Sequence, residues 1–552
     1  MSVGSFVFML HSHLPFYRKA GMWPFGEESV YECMAESYVP LLNAIGDLYD
    51  EGIPAKLTIG ITPILAEQLA DPHLNQGFDK YLQDRIEAAQ KDEARYTPRG
   101  DHDPDRLHLA RYYLNWFQSI RRDYHERWNR DIIGGFRKYQ DLGAIEITTS
   151  AATHCFSPLL ETDSSLYGQY KTGVESHKRH FGRAPKGFWL PECAYRPEEK
   201  NRAGIEKWLH DLGLEYFFTE SFVIKGGQNA ELRRVFGPYG TLEYIPTAPR
   251  PETGLDVFEG YWLKDYPVAV LGRHETAGYQ VWSADHGYPG DGNYREFHKK
   301  DDRSGLHYWK LTSKTTDLGD KQLYNPEAAM TRMRENSDHY VGQIQQLLTE
   351  NLKATGKPGL VMVSFDTELF GHWWFEGINW IKEVIRKMRT YTAVTMQTAD
   401  EYLKAFPPSK AIELPQSSWG SGGHWQVWLN NDTEWMWPII HECEHTMEDL
   451  AKQPHRNGLI ERATKQAARE LLLIESSDWP FLVTTGQAKE YAVQRFSGHV
   501  ERFRELCDMI RSGNVVEGKL KSYEDIDNCF PDISMDNFKI TEEQLNPTLS
   551  RK

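Results

Sequence analysis

The feature that most constrains this chain is a rhythm, in which apolar runs of five to seven residues alternate with longer amphipathic stretches. The runs are SFVFML (5–10), KLTIGI (56–61), AIEITT (144–149), KGFWL (186–190), EYFFT (215–219), GLVMVSF (359–365) and AVTMQT (393–398). Helix-like segments at 36–51, 166–180, 200–211, 326–354 and 377–389 lie between most of them. A strand that is apolar at nearly every position is buried on both faces, and strands of this kind alternating with helices form a parallel sheet covered on both sides. Seven of them predict an α/β fold, a (β/α)7 barrel spanning 1–405, with an open doubly wound sheet as the competing arrangement.

Three segments break the rhythm. Residues 72–135 are highly charged and helical in pattern, which predicts an inserted helical subdomain. Residues 222–325 are rich in Gly, Pro and Tyr with short β-like pieces such as YPVAVLG, and predict a long insertion over the barrel mouth. After a linker-like PPSKAIELPQ, residues 406–552 hold three helical patterns (434–452, 459–476, 487–512) and predict a C-terminal helical domain.

Composition narrows the partners. With 63 basic and 79 acidic residues the net charge is −16, which argues against nucleic acid or an anionic membrane as partner. The apolar start, Val3 to Leu10, is too short to span a bilayer. Six scattered cysteines without a CxxC pair fit reduced thiols in the cytoplasm. The 17 Trp, 28 Tyr and 25 Phe lean towards an enzyme that grips a ligand with apolar faces and many hydroxyls.

In a barrel of this type, chemistry gathers where strands end. The first run ends in His11-Ser12-His13, the third leads to His154, the fourth to Glu192, and the sixth to Asp366. A carboxylate straight after an apolar strand is costly to bury unless something pairs with it. Each of these two has bulky aromatics close in sequence. Two carboxylates in a partly dry pocket have pKa values pushed apart, giving an ionised nucleophile and a protonated acid, which is the equipment for breaking a glycosidic bond. The plainer alternative, that each caps a helix, suits one such residue better than two accompanied by three histidines.

WLPECAY, SFDTELFGHWW, HSHLPF, the ATH after the third run and TADEYL together resemble five sequence regions of glycoside hydrolase family 57, and within it those of the 1,4-α-glucan branching enzymes. The resemblance runs from residue 5 to about 480. It implies a retaining mechanism without metal or other cofactor, with Glu192 as nucleophile and Asp366 as general acid/base. It further implies that His11, His13 and His154 line the donor subsite and that Arg273, Gly290, Trp419 and Asp478 contact the glucan. Trp282 and Trp428 are further candidate stacking platforms. A lid tyrosine is expected on the loop at about 225–250, where Tyr239 and Tyr244 are both candidates. The expected partner is an α-glucan polysaccharide. An α-amylase or a 4-α-glucanotransferase is the alternative use of the same site.

Two metal motifs compete. His441-Glu442-Cys443-Glu444-His445 matches HExxH, the helical zinc-protease signature, and Glu470 offers a possible third ligand. The third histidine and the glycine of the extended motif are absent, so a solvated helix face is expected here. His11-x-His13 resembles a strand-borne metal pair, but the sequence shows no obvious aspartate to complete it.

Overall fold

The computed structural model describes residues 2–199, 202–227, 234–237, 240–243, 250–283, 286–453, 458–541 and 544. Seven parallel strands form its centre: β1 (Gly4–Ser12), β2 (Leu57–Ile61), β3 (Ile145–Ser150), β4 (Gly187–Trp189), β5 (Tyr216–Thr219), β6 (Ala269–Gly272) and β7 (Gly359–Asp366). Their hydrogen-bonded order is β7-β1-β2-β3-β4-β5-β6, the curled sheet of the expected (β/α)7 fold. Between β6 and β7 there is no ladder among the described residues. That seam carries backbone bonds from His274 N to Met362 O (2.8 Å) and from Leu360 N to Phe258 O (2.7 Å).

One member of the seven differs from the sequence expectation. The run at 393–398 does form a strand, Val394–Met396, but it pairs only with Gly4–Phe6 at the start of β1. The place beside β5 is taken by β6, which lies in the segment 222–325 and pairs in parallel with Tyr216–Thr219. An apolar run states that it will be buried between neighbours, but not which neighbours or in what register.

Strand parity positions the site. Val7, Met9, Trp189, Phe218, Ala269, Leu271, Leu360 and Met362 share one apolar cluster that fills the barrel. Phe6, Phe8, Leu10, Val361, Val363 and Phe365 belong to the layer packed under the outer helices. Side chains alternate faces along a strand, so the inward rows continue past the apolar plug to His11 on β1, Asp366 on β7, Glu220 after β5 and Arg273 after β6. In the β1–β7 ladder His11 stands directly opposite Asp366.

The segment 72–135 contains two long helices, Pro72–Arg95 and Pro104–Arg122. Asp71 and Asp103 cap them by accepting from Leu74 N (3.1 Å) and Arg106 N (3.0 Å). Leu74, Phe78, Leu82, Ile86 and Ala89 form a buried stripe along the first. The C-terminal region is helical, with Met436–Lys452, Leu459–Ile474, Asp478–Thr485, Lys489–Ser512 and Glu517–Ile526. Leu471, Trp479 and Phe503 from these helices share one core with Phe156, Tyr170 and Phe188 from the β3–β4 side. That packing brings residues 476–478 to the barrel mouth. All six cysteines are free and buried, and no helix among the described residues is long and apolar enough to cross a membrane.

Candidate active site

Two turns at the strand ends hold residues in an unusual backbone shape. His154 and Glu192 both have φ of 59°, and Cys193 has 48°. Non-glycine residues pay on the order of 1–2 kcal/mol each for that region. The turns are held by the structure around them: Ser477 N donates to His154 O (3.0 Å) and Trp419 N donates to Glu192 O (2.6 Å).

The imidazoles of His11, His13 and His154 gather above the apolar plug. His11 stacks on Trp189 with ring centres 4.6 Å apart, and His13 stacks on His154 at 3.9 Å. His11 Nε2 and His154 Nε2 are 3.1 Å apart. His13 Nδ1 bonds Thr62 Oγ1 (3.1 Å), and its Nε2 meets Asp478 Oδ1 at 3.1 Å. His154 Nδ1 bonds Ser477 Oγ (2.9 Å) and lies 3.9 Å from Glu192 Oε1. Burial holds the His11 and His154 imidazoles well below the ordinary histidine range, so both are neutral at pH 7, and the neighbouring His13 adds to this.

The two carboxylates belong to this constellation. Burial pushes Glu192 well above the usual carboxylate range, and the charges of Asp366 and Asp478 push it further. Asp366 is pushed up to about 7 by burial, with His13 and Arg273 pulling the other way. The charge of Asp366 is thus felt at Glu192. The Arg273 guanidinium lies close enough to Asp366 to favour its charged form and so offsets part of the effect of burial.

Arg273 and the tryptophans adjoin the imidazoles through Trp189, whose ring meets both His11 and Trp419. The Arg273 guanidinium is buried, pairs with Glu220 Oε1 at 2.7 Å and lies 5.3 Å from the centre of the Trp419 ring. Half-buried Trp419 meets Trp189 and Trp282 edge to face at 5.3 and 5.7 Å. Trp282 is 7% exposed and its Nε1 donates to Ser364 O (3.2 Å).

Some expected site residues stand elsewhere. Trp428 is 1% exposed and its ring stacks on Phe156 at 4.3 Å, so it offers no free face to a sugar. Its ring packs beneath Gly420, where a Cβ would come within 2.6 Å of it, and so it shapes the loop that carries Trp419. Gly290 closes the turn Tyr288–Gly290, whose tyrosine packs on Trp374 and Trp380. No hydrogen bond among the described residues joins it to the carboxylates or the imidazoles. Tyr239 and Tyr244 lie outside the described residues.

The HExxH helix is engaged in ordinary surface pairing. His441 Nε2 bonds Leu159 O (3.0 Å), His445 Nε2 meets Glu161 Oε2 (3.2 Å), and Glu442 pairs with Arg504 (2.8 Å). Glu470 points instead at His499. The aspartate that sequence did not supply for His13 is present in space as Asp478.

Other residues were missed. Glu220 follows β5 as Glu192 follows β4, so the rule that selected Glu192 selects it as well. Glu368 is buried, accepts from Tyr38 OH and from His13 N (3.2 Å), and is pushed up to about 8 by that burial. Thr62 and Ser477 carry no sequence signal of their own.

Buried acids, imidazoles and tryptophans gathered at a barrel mouth suit an enzyme that acts on carbohydrate. A family model described as Glycosyl hydrolase family 57 matches residues 7–415, and the chain belongs to that family. A second, described as 1,4-alpha-glucan branching enzyme, C-terminal, matches 439–538. The chain is 41% identical over 536 residues to a 1,4-alpha-glucan branching enzyme of Thermococcus kodakarensis, covering 95% of this chain and 76% of that one. The crystal structure of a branching enzyme of this family from Pyrococcus horikoshii superposes with a TM-score of 0.86 at 37% identity, covering 98% of this chain and 97% of that one. An alpha-amylase from Thermotoga maritima superposes at 0.83 with 29% identity, covering 98% and 100%.

Proposed function

We propose that this chain is a retaining 1,4-α-glucan branching enzyme, cleaving an α-1,4-linked glucan and moving the released chain to a 6-hydroxyl. The observation that carries this reading is likeness to branching enzymes along almost the whole chain, C-terminal helices included, joined to two buried acids, Glu192 and Asp366, at the barrel mouth.

Glu192 attacks the anomeric carbon while Asp366 gives its proton to the leaving 4-hydroxyl. A covalent glucosyl-enzyme forms, and Asp366 then takes the proton of the incoming 6-hydroxyl. Substrate itself sets the protonation order. A glycosidic oxygen beside Asp366 accepts only from the protonated acid, and positive charge growing at C1 favours ionised Glu192, so bound glucan favours the proton on Asp366. Retaining chemistry needs carboxyl groups about 5–5.5 Å apart, and the charge of Asp366 felt at Glu192 suits acids that share one mouth.

His11, His13 and His154, neutral or held by hydroxyls, suit hydrogen bonds to sugar hydroxyls, and Asp478 fixes His13. Arg273, held by Glu220, and the faces of Trp419 and Trp282 adjoin them. The barrel (1–405) supplies the acids and the C-terminal region (406–552) supplies Trp419 and Asp478, so the substrate lies across the joint. A tyrosine of the 225–250 loop, Tyr239 or Tyr244, excludes water from the intermediate. The charge of −16 suits a neutral polymer in the cytoplasm.

The second reading, an α-amylase, is favoured by the Thermotoga likeness; it uses the same intermediate and passes it to water. Incubating amylose with the protein, debranching with isoamylase and sizing the chains separates the two. New short side chains support branching. Free short linear sugars alone overturn it in favour of hydrolysis.

A further inference from the structure

His13, His154 and Asp478 present one ligand atom each within 4.8 Å of one another. A tetrahedral zinc ion with bonds of about 2.0–2.2 Å spaces its ligand atoms about 3.3 Å apart. His13 Nε2 already stands 3.1 Å from one oxygen of Asp478 and 3.2 Å from the other. We propose that these three side chains form a binding site for a zinc-class divalent transition-metal ion, and that the bound ion inhibits the enzyme by occupying the donor side of the mouth.

The donor set is two imidazoles and one carboxylate, which suits zinc and its neighbours and not calcium or magnesium, whose ligands are oxygens. Two of the donors are oriented from behind, as metal ligands are. Thr62 Oγ1 holds the far nitrogen of His13 and Ser476 Oγ donates to Asp478 Oδ2 at 2.6 Å, while the two nitrogens of His154 meet Ser477 Oγ (2.9 Å) and His11 Nε2 (3.1 Å), contacts that an ion would replace at one of them. Among the described residues no lysine or arginine pairs with Asp478, so its charge is free to take a cation. The side chains of His13 and Asp478 keep 11% and 14% exposure, which leaves a way in from the mouth.

The other two candidate groups lack these properties. Glu470, His499 and Asp527 also lie close together, but Arg502 Nε already bonds both carboxylates, at 3.2 and 2.9 Å. His441 and His445 share one exposed partner, Glu161, at 3.5 and 3.2 Å, and do not converge on a third ligand.

The inhibitory half of the proposal rests on the branching reading; the binding half does not. An ion at this place takes the imidazoles that the donor sugar needs and lies beside Glu192, whose Oε1 is 3.9 Å from His154 Nδ1. It therefore raises KM for amylose and leaves kcat unchanged.

The test is calorimetric titration of the chelator-washed full-length protein with zinc chloride, with and without maltoheptaose. One saturable site is expected, weakened about tenfold or more by Asp478→Asn, weakened by the sugar, and unchanged by His445→Ala. Loss of binding in His445→Ala with retention in Asp478→Asn overturns the site, as does absence of saturable uptake. Because Asp478→Asn could disturb folding, zinc-edge anomalous diffraction from the unaltered protein is the second arm. A peak between His13 and Asp478 supports the site, and a peak only at Glu161 overturns it. If zinc binds there and KM stays flat, the inhibitory half falls. Should the metal-free protein not branch amylose, the branching reading fails while the zinc titration still decides the site.

Discussion

Two clusters in this molecule are built from the same parts and do opposite things. At the mouth, His13 meets Asp478, with Glu192 and Asp366 close by. In the C-terminal helices, His499 meets Glu470 at 2.8 Å with Asp527 beside them. The second cluster is sealed, all three side chains having no exposure, and it contains its own cation in Arg502, backed by Arg495 Nη2 on His499 at 3.1 Å. The first faces an opening, and its one buried guanidinium, Arg273, is taken up by Glu220. A buried carboxylate matched by a fixed cation holds a fold together, and one left short of cations waits for a ligand. The difference lies in the neighbours, not in the acids.

Exchanging one acid on each side breaks the comparison most sharply. Glu192→Gln should lower turnover by about four orders of magnitude or more, while thermal unfolding and amylose binding stay close to those of the unaltered protein. Unchanged turnover would remove the mechanism. On the sealed side the expected effect is on stability. Arg502→Ala leaves Glu470 and Asp527 with only His499 and the more distant Arg495 to offset them, which costs on the order of 3 kcal/mol. Chemical denaturation measures that loss, and activity per folded molecule should not move. Lost activity in the folded fraction would mean that the two clusters communicate, for which Trp479 is the route: it follows Asp478 directly, and its ring lies 6.0 Å from that of His499.

Much of this was legible in the chain because burial on both faces leaves a continuous apolar run. All seven expected runs became strands, and a carboxylate at the end of such a run is conspicuous for being costly. What was illegible depended on the third dimension. β6 is four residues long and sits in a Gly/Pro/Tyr-rich stretch, so nothing marked it as a barrel member rather than a loop strand. Asp478 meets His13 across 465 residues, and that meeting is decided by how the C-terminal helices pack on β3 and β4. Trp419, beside two glycines, reads as the better platform than Trp428, but that Trp428 has no free face follows only from the Phe156 ring stacked on it. Glu220 is the instructive omission, because the strand-end rule covered it and no motif drew attention to it.

The smallest expected effect concerns how ionisation at the mouth weighs on the fold. Asp366 has its pKa raised, to about 7, so the folded state holds that proton more tightly than the unfolded chain does. Its contribution to stability is therefore fully present at pH 4 and below, and is lost as pH rises through about 7. Asp366→Asn, which cannot ionise, escapes that loss. In thermal melts the variant should gain on the order of 2 °C over the unaltered protein at pH 8 and nothing at pH 4. The shift is small because one group acts on a large chain, and because His13 and Arg273 already offset part of the carboxylate's charge. A gain of equal size at both pH values would come from packing and not from charge. A loss at pH 8 would mean that ionised Asp366 is held by Arg273 as firmly as Glu470 is by Arg502, and the contrast between the open cluster and the sealed one would collapse.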